Sequence, residues 1–95
     1  MLRDIAYAVP GDVLVAHLQG EAVVLNMDDK RYYRLNDTAA CIWKALERQE
    51  RLTGIVASLC DEFDVSPEEA AWHAERLVAD LLARGLLRAP EQRVH

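Results

Sequence analysis

Short segments of alternating apolar and polar residues fill the N-terminal part of the chain and predict β-strands. Residues 12–18, 21–26 and 31–35 are rich in β-branched or aromatic side chains and are separated by turn residues. Gly20 can close a tight hairpin between the first two segments, and residues 27–30 form a turn before the third. The pattern predicts a three-stranded antiparallel meander.

After the third strand, apolar residues recur at a spacing near 3.6, which indicates helices. A first helix is predicted over residues 37–48, with Asn36 or Asp37 as its N-cap. A second helix is predicted to start with Thr53 as its cap. Its apolar stripe contains Ile55, Val56, Leu59, Cys60 and Phe63.

The third helix has the clearest start and end signals. Ser66 followed by Pro67 and Glu69 predicts a capping box, and Gly85 predicts the left-handed residue that follows a helix ending at Arg84. Its predicted core stripe is Ala70, Ala74, Leu77, Val78 and Leu81. Three strands followed by three helices predict an α+β fold, for which a winged helix-turn-helix-like arrangement is one solution.

The length and charge of the chain limit its function. Its 95 residues fit one domain, residues 1–95, with a core at about residues 12–87 and tails of uncertain order at residues 1–10 and 88–95. A net charge of −5 argues against a nucleic-acid partner. The sequence shows neither a membrane span nor a signal peptide, so we expect a cytoplasmic protein without a membrane partner.

Residues with catalytic or metal-binding potential are sparse. Cys41 and Cys60 stand among apolar neighbours in helical patterns, so we expect buried, reduced thiols. The histidines and cysteines lack the spacing of a zinc site, and neither a nucleophile motif nor a phosphate-binding glycine run is present. We therefore expect no metal, no cofactor and no enzymatic activity.

Two features point to a binding surface. If the meander follows chain order, the third strand is a sheet edge, which Arg31 and Arg34 can blunt or which can receive an extended peptide. The pattern leaves both interpretations open. Trp72 lies opposite Leu77 on the third helix, where it can anchor a partner or pack within the fold.

The chain resembles the PqqD-like family over roughly residues 12–87. The resemblance is carried by Val24-Leu25-Asn26, Tyr32-Tyr33, Leu35-Asn36-Asp37-Thr38-Ala39, Ile42-Trp43 and Gly85-Leu86-Leu87. It implies a recognition element for ribosomally made, post-translationally modified peptides, in which the precursor's leader adds as a strand to the third strand beside the third helix. Lys30 stands where many relatives have glycine, which suggests a more strained turn.

The resemblance implies a set of peptide-binding residues. The strand contributes Arg31, Tyr32, Tyr33, Arg34 and Leu35, and the helix contributes Ala71, Trp72, Glu75, Val78, Ala79 and Leu82. A leader side chain is expected between Tyr32 and Trp72. The sequence looks closest to stand-alone leader-binding proteins of lasso peptide biosynthesis, which implies a leader peptidase or another modifying enzyme as a second partner.

Three alternatives remain open from the sequence. Within the same family, a PqqD-type peptide chaperone for a radical-SAM maturase is one alternative, although the sequence lacks features of the dedicated pyrroloquinoline quinone member. A winged-helix DNA-binding regulator fits the predicted elements but not the acidic charge of the third helix. A dimerisation module, in which the open edge pairs with itself, can coexist with leader binding.

Overall fold

The computed structural model describes residues 4–89, in which three antiparallel strands precede three helices. The strands are β1 (Val13–Leu18), β2 (Glu21–Asn26) and β3 (Arg31–Leu35), and they lie in chain order within one sheet. The predicted α+β class and strand order are therefore confirmed. β3 lies at an edge of the sheet.

The two turns of the meander use left-handed backbone conformations. Gly20 has φ 71°, which glycine adopts readily, whereas Lys30 has φ 62° and carries a side chain. The N–H of Lys30 donates to the carbonyl of Asn26 at 2.9 Å and closes the second turn. The residue expected to strain this turn therefore adopts the conformation that favours glycine.

The register between β2 and β3 decides which side chains of the edge strand face the helices. Tyr33 pairs with the fully buried Val24, and Tyr32 pairs with Leu25 on the opposite face. Leu35 is buried and Tyr33 half-buried, whereas Tyr32 is exposed. Tyr33 and Leu35 therefore face the helical layer.

The helices are α1 (Asp37–Glu47), α2 (Leu52–Glu62) and α3 (Pro67–Ala83). Asn36 is the N-cap of α1, and its side chain accepts a hydrogen bond from the N–H of Ala39 at 2.9 Å. Ser66 and Glu69 form the predicted capping box of α3. Gly85 follows α3 with φ 75°, as its left-handed role requires.

The start of α2 differs from the prediction. Its N-cap is Arg51, which provides no side-chain cap, and Thr53 lies inside the helix. Asp4 supplies the missing acceptor, because its carboxylate receives the backbone N–H of Thr53 at 3.1 Å. A residue 49 positions away in the sequence therefore caps this helix.

The N-terminal segment also contributes to the core. Tyr7 is 3% exposed, and Ala8 forms an isolated antiparallel bridge with Arg88 through backbone hydrogen bonds of 2.8 and 2.9 Å. The N-terminal tail, whose order the sequence left uncertain, therefore packs against the core at Tyr7. Residues 1–3 and 90–95 of the two tails lie outside the described residues.

The core lies between the inner face of the sheet and the three helices. Its largest fully buried side chains are Trp43, Ile42, Leu46, Ile55, Leu59, Leu86, Val24 and Val78. Cys41 is buried and Cys60 half-buried, and both are free thiols. Both thiols were expected to be buried, and Cys60 is less buried than expected.

Candidate functional site

The edge strand β3 is available for pairing. It pairs with β2 along one side, and within residues 4–89 no strand covers its other side. An uncovered edge presents backbone N–H and C=O groups at alternate residues, which can pair with an extended peptide. Arg34 is not an unpaired charge at this edge, because its guanidinium donates a hydrogen bond to the carboxylate of Glu21 at 3.1 Å.

A groove of about 590 Å³ runs between β3 and α3. Leu35, Leu77 and Leu81 supply its apolar floor, and Tyr33 lies beside them. The other lining residues are Glu21, Tyr32, Arg34, Asn36, Ala39, Asp80 and Arg84. The edge strand and this groove form one surface, which we call the β3–α3 groove.

Arg84 joins the two walls of the β3–α3 groove. Its guanidinium carbon lies 5.0 Å from the centroid of the Tyr33 ring, a cation–π distance. Its Nε donates to the carboxylate of Asp80 at 3.1 Å. That hydrogen bond, followed by one with Tyr33, raises the pKa of Arg84 above its ordinary value, so the group remains a cation.

The structure brings most of the predicted strand residues to the groove. Tyr32, Tyr33, Arg34 and Leu35 line it, whereas Arg31 contributes no lining surface. Arg31 donates its backbone N–H to Asp29 at 3.0 Å within the preceding turn. The predicted strand residues that line the groove therefore form one continuous stretch, Tyr32–Leu35, of the edge strand.

The predicted helix residues lie elsewhere on α3. Ala71, Trp72, Glu75, Val78, Ala79 and Leu82 are all absent from the lining of the β3–α3 groove. Val78 is fully buried, and Leu82 packs partly against the core. Ala79 lines a second groove, which lies between α1 and α3.

Trp72 is exposed but lines neither groove. Its ring lies 4.8 Å from the guanidinium carbon of Arg76 and 5.1 Å from the ring of His73, in a T-shaped contact. The structure therefore does not bring Tyr32 and Trp72 together around a shared pocket. Their contribution to peptide binding remains a prediction.

The α3 residues that line the β3–α3 groove were absent from the predicted site. They are Leu77, Asp80, Leu81 and Arg84, with spacings of three or four residues that place them on one helix face. Leu77 and Leu81 were interpreted as core residues. The helical spacing could have identified this face, but only if the side of α3 that approaches β3 had been known.

Within residues 4–89, no three histidine, cysteine or acidic side chains are grouped to hold a metal ion. No helix in that part of the chain is long and apolar enough to cross a membrane.

The fold and this groove define a small α+β domain with an uncovered sheet edge. Residues 21–87 match the family model of PqqD, coenzyme PQQ synthesis protein D, and the chain belongs to this family. No curated protein matches the chain.

Two solved structures share the fold over nearly their whole length. TbiB1 in complex with the TbiA(beta) leader peptide is 25% identical, with a TM-score of 0.81, and the match covers 90% of this chain and 99% of TbiB1. A lasso peptide synthetase B1 complexed with the leader peptide is 26% identical, with a TM-score of 0.78 and coverage of 86% and 96%. Both neighbours therefore bind leader peptides, and both are nearly the size of this chain.

Proposed function

We propose that this protein binds the leader segment of a ribosomally made precursor peptide, as an added strand on β3. The observation that carries the proposal is the uncovered β3 edge beside a groove with an apolar floor. Main-chain pairing would supply affinity without regard to sequence, and the groove would select the side chains that point toward α3.

The α3 wall of the proposed site is Leu77, Asp80, Leu81 and Arg84. Leu77 and Leu81 would contact an apolar leader side chain next to Tyr33. Asp80 and Arg84 would contact polar groups at the rim. We assign Val78 and Leu82 to packing, because both contact the core and neither lines the β3–α3 groove.

The pathway is proposed to be lasso peptide biosynthesis. The two B1 structures support this assignment, because their complexes contain leader peptides and their chains cover nearly the same fold. In this role the protein would act in the cytoplasm, catalyse no reaction itself and present the bound leader to a leader peptidase or another maturation enzyme.

A second candidate role is favoured by the family match. A PqqD-type peptide chaperone would deliver its precursor to a radical-SAM maturase instead of a peptidase. The two roles use the same kind of groove and differ in the precursor recognised. Titration with leaders of both precursor classes therefore separates them.

Hydrogen exchange with and without leader tests the proposed function. The purified protein would first be titrated with labelled leaders of precursors encoded near its gene, and with scrambled versions of the same composition. Amides within Arg31–Leu35 that exchange rapidly in the free protein should be protected in the complex, whereas those of β1 should not change. Tight binding without new protection in β3 would contradict strand addition, and no binding to any leader would contradict the function.

A further inference from the structure

A second groove, of about 850 Å³, lies between α1 and α3. Its apolar surface includes Ile42 of α1 and Leu77, Ala79 and Ala83 of α3. Its volume lies within the range of roughly 300–1,000 Å³ that is usual for ligand pockets. We call it the α1–α3 groove.

The α1–α3 groove continues the β3–α3 groove. Asn36, Ala39, Leu77, Asp80 and Arg84 line both. Asn36 and Ala39 lie where β3 ends and α1 begins, since Asn36 is the N-cap of α1, and the other three shared residues belong to the α3 wall. A peptide that leaves the end of β3 would therefore meet the second groove without crossing open surface.

The direction of the added strand decides which part of the peptide reaches this junction. Both strand pairs of the sheet are antiparallel. A peptide added antiparallel to β3 runs from the Leu35 end toward the Arg31 end. The residues that precede its strand segment therefore emerge beside Asn36, where residues 4–89 offer no further strand to pair with.

The charge of the α1–α3 groove favours an acidic segment. Arg76 lines the groove and stacks on Trp72, and no carboxylate within residues 4–89 pairs with it. The carboxylate of Asp80 is already held by Arg84. Arg76 is thus an ordered cation without a counter-ion on the surface of a chain whose net charge is −5.

We infer that the α1–α3 groove binds the peptide segment immediately N-terminal to the strand that adds to β3. That segment inserts an apolar side chain against Leu77 and Ala79 and places an acidic side chain next to Arg76. The inference rests on the proposed function and extends it. It makes recognition bipartite, with backbone pairing at β3 and side-chain recognition between the helices.

The test combines a blocked groove with a shortened leader. Ala79→Trp places a large side chain in the α1–α3 groove from an exposed position, and Ala57→Trp at an exposed position of α2 is the matched control. Each protein would be titrated with the full labelled leader and with a leader lacking the residues before the strand segment. Binding of the shortened leader verifies that Ala79→Trp is folded.

In the unaltered protein, removal of the N-terminal flank should weaken binding about tenfold, as expected for the loss of one buried anchor. In Ala79→Trp, the full leader should bind no better than the shortened one, and Ala57→Trp should behave like the unaltered protein. Equal affinity of Ala79→Trp and unaltered protein for the full leader would overturn the inference.

A charge reversal tests the acidic contact separately. Arg76→Glu should weaken binding of the full leader by about two- to fivefold, the range of an exposed ion pair, and leave the shortened leader unaffected. Exchange of the leader's acidic residue for lysine should restore binding to this variant. An unchanged affinity of Arg76→Glu for the full leader would contradict the contact between Arg76 and an acidic leader residue. If the unaltered protein bound no leader, the proposed function itself would fail.

Discussion

Arg84 lies over Tyr33, with its guanidinium carbon 5.0 Å from the centroid of the ring. Tyr33 belongs to the edge strand and Arg84 follows the last residue of α3, so this contact connects the two walls of the β3–α3 groove. Asp80 fixes the guanidinium from within the helix. The width of the groove at this end therefore depends on an ordered cation.

Replacement of Arg84 by alanine tests the importance of that contact. An exposed cation–π contact is worth about 0.5–1 kcal/mol, so Arg84→Ala should weaken leader binding about two- to fivefold through the loss of an ordered wall. Fluorescence polarisation with a labelled leader measures the change. Lys44→Ala is the control, because Lys44 is an exposed cation of α1 outside both grooves. An equal loss in both variants would indicate a general charge effect.

The cap that Asp4 provides for α2 predicts a stability change without a binding change. Asp4→Ala should lower the free energy of unfolding by about 1 kcal/mol, the usual value for a lost cap. Thermal or urea unfolding measures it. Asp64→Ala removes the same charge from a position without a side-chain hydrogen bond in the described structure, and it should be nearly neutral. An equally small effect of both substitutions would show that the Asp4–Thr53 contact contributes nothing.

The burial of Cys41 predicts a loss of stability at alkaline pH. Burial, followed by the nearby Glu62 carboxylate, raises the pKa of Cys41 above the ordinary value of 9.0. Above that value the thiol ionises in the unfolded chain while the folded chain keeps it protonated, so the free energy of unfolding falls as pH rises. Urea unfolding below and above pH 9.0 measures the slope.

Cys41→Ala provides the comparison for that slope. The variant should be less stable at every pH because it loses buried volume, but its stability should fall less steeply through the alkaline range. Other groups titrate there in both proteins, so the difference between the two slopes isolates the thiol. Identical slopes would show that the thiol has the same pKa in the folded and unfolded chains.

Trp43 poses a separate stability question. Its indole is fully buried, and its Nε1–H has no hydrogen-bond partner in the described residues. Trp43→Phe removes this unsatisfied donor together with some volume, so the two effects oppose each other, and we expect a change within about 1 kcal/mol. Trp43→Ala should lower the free energy of unfolding by about 3–5 kcal/mol. A large loss in Trp43→Phe, measured by urea unfolding, would indicate that the donor is satisfied by water.

Local signals predicted the order of the elements. Alternating residues defined three strands, and Ser66 with Glu69 defined the start of α3 from positions three residues apart. Such signals are readable because the interacting groups are neighbours in sequence. The cap of α2 was missed because Asp4 reaches it from 49 residues away. Tyr7 was missed because long-range contacts, the Asp4–Thr53 hydrogen bond and the bridge between Ala8 and Arg88, bring its segment to the core.

The candidate site was predictable for the strand and much less so for the helix. The edge position of β3 follows from the order of the strands. The alternation of side chains along a strand then places Tyr33 and Tyr32 on opposite faces of the sheet. The face that α3 turns toward β3 depends on how α3 rotates about its own axis, which its packing on α1 and α2 decides. Trp72 and Leu77 are five residues apart, about 140° around the helix. An incorrect assumption about the rotation of α3 therefore places the Trp72 face, instead of the Leu77 face, toward β3.

A comparison of Leu77 and Trp72 decides which face of α3 contacts the leader. Leu77 is half-buried on the floor of the groove, and Leu77→Ala should weaken leader binding about tenfold, or about 1.4 kcal/mol. Trp72→Ala should change it by less than about twofold, because Trp72 lines neither groove and its ring interactions within residues 4–89 are with its helix neighbours His73 and Arg76.

Calorimetric titration with one leader measures both affinities, and thermal unfolding of each variant accounts for any loss of folded protein. Leu77 also packs against the core, so its variant should be less stable, whereas Trp72→Ala should not be. The reverse ranking of affinities would place the leader on the Trp72 face, as the sequence alone predicted. It would also remove Leu77 from the proposed α3 wall of the β3–α3 groove.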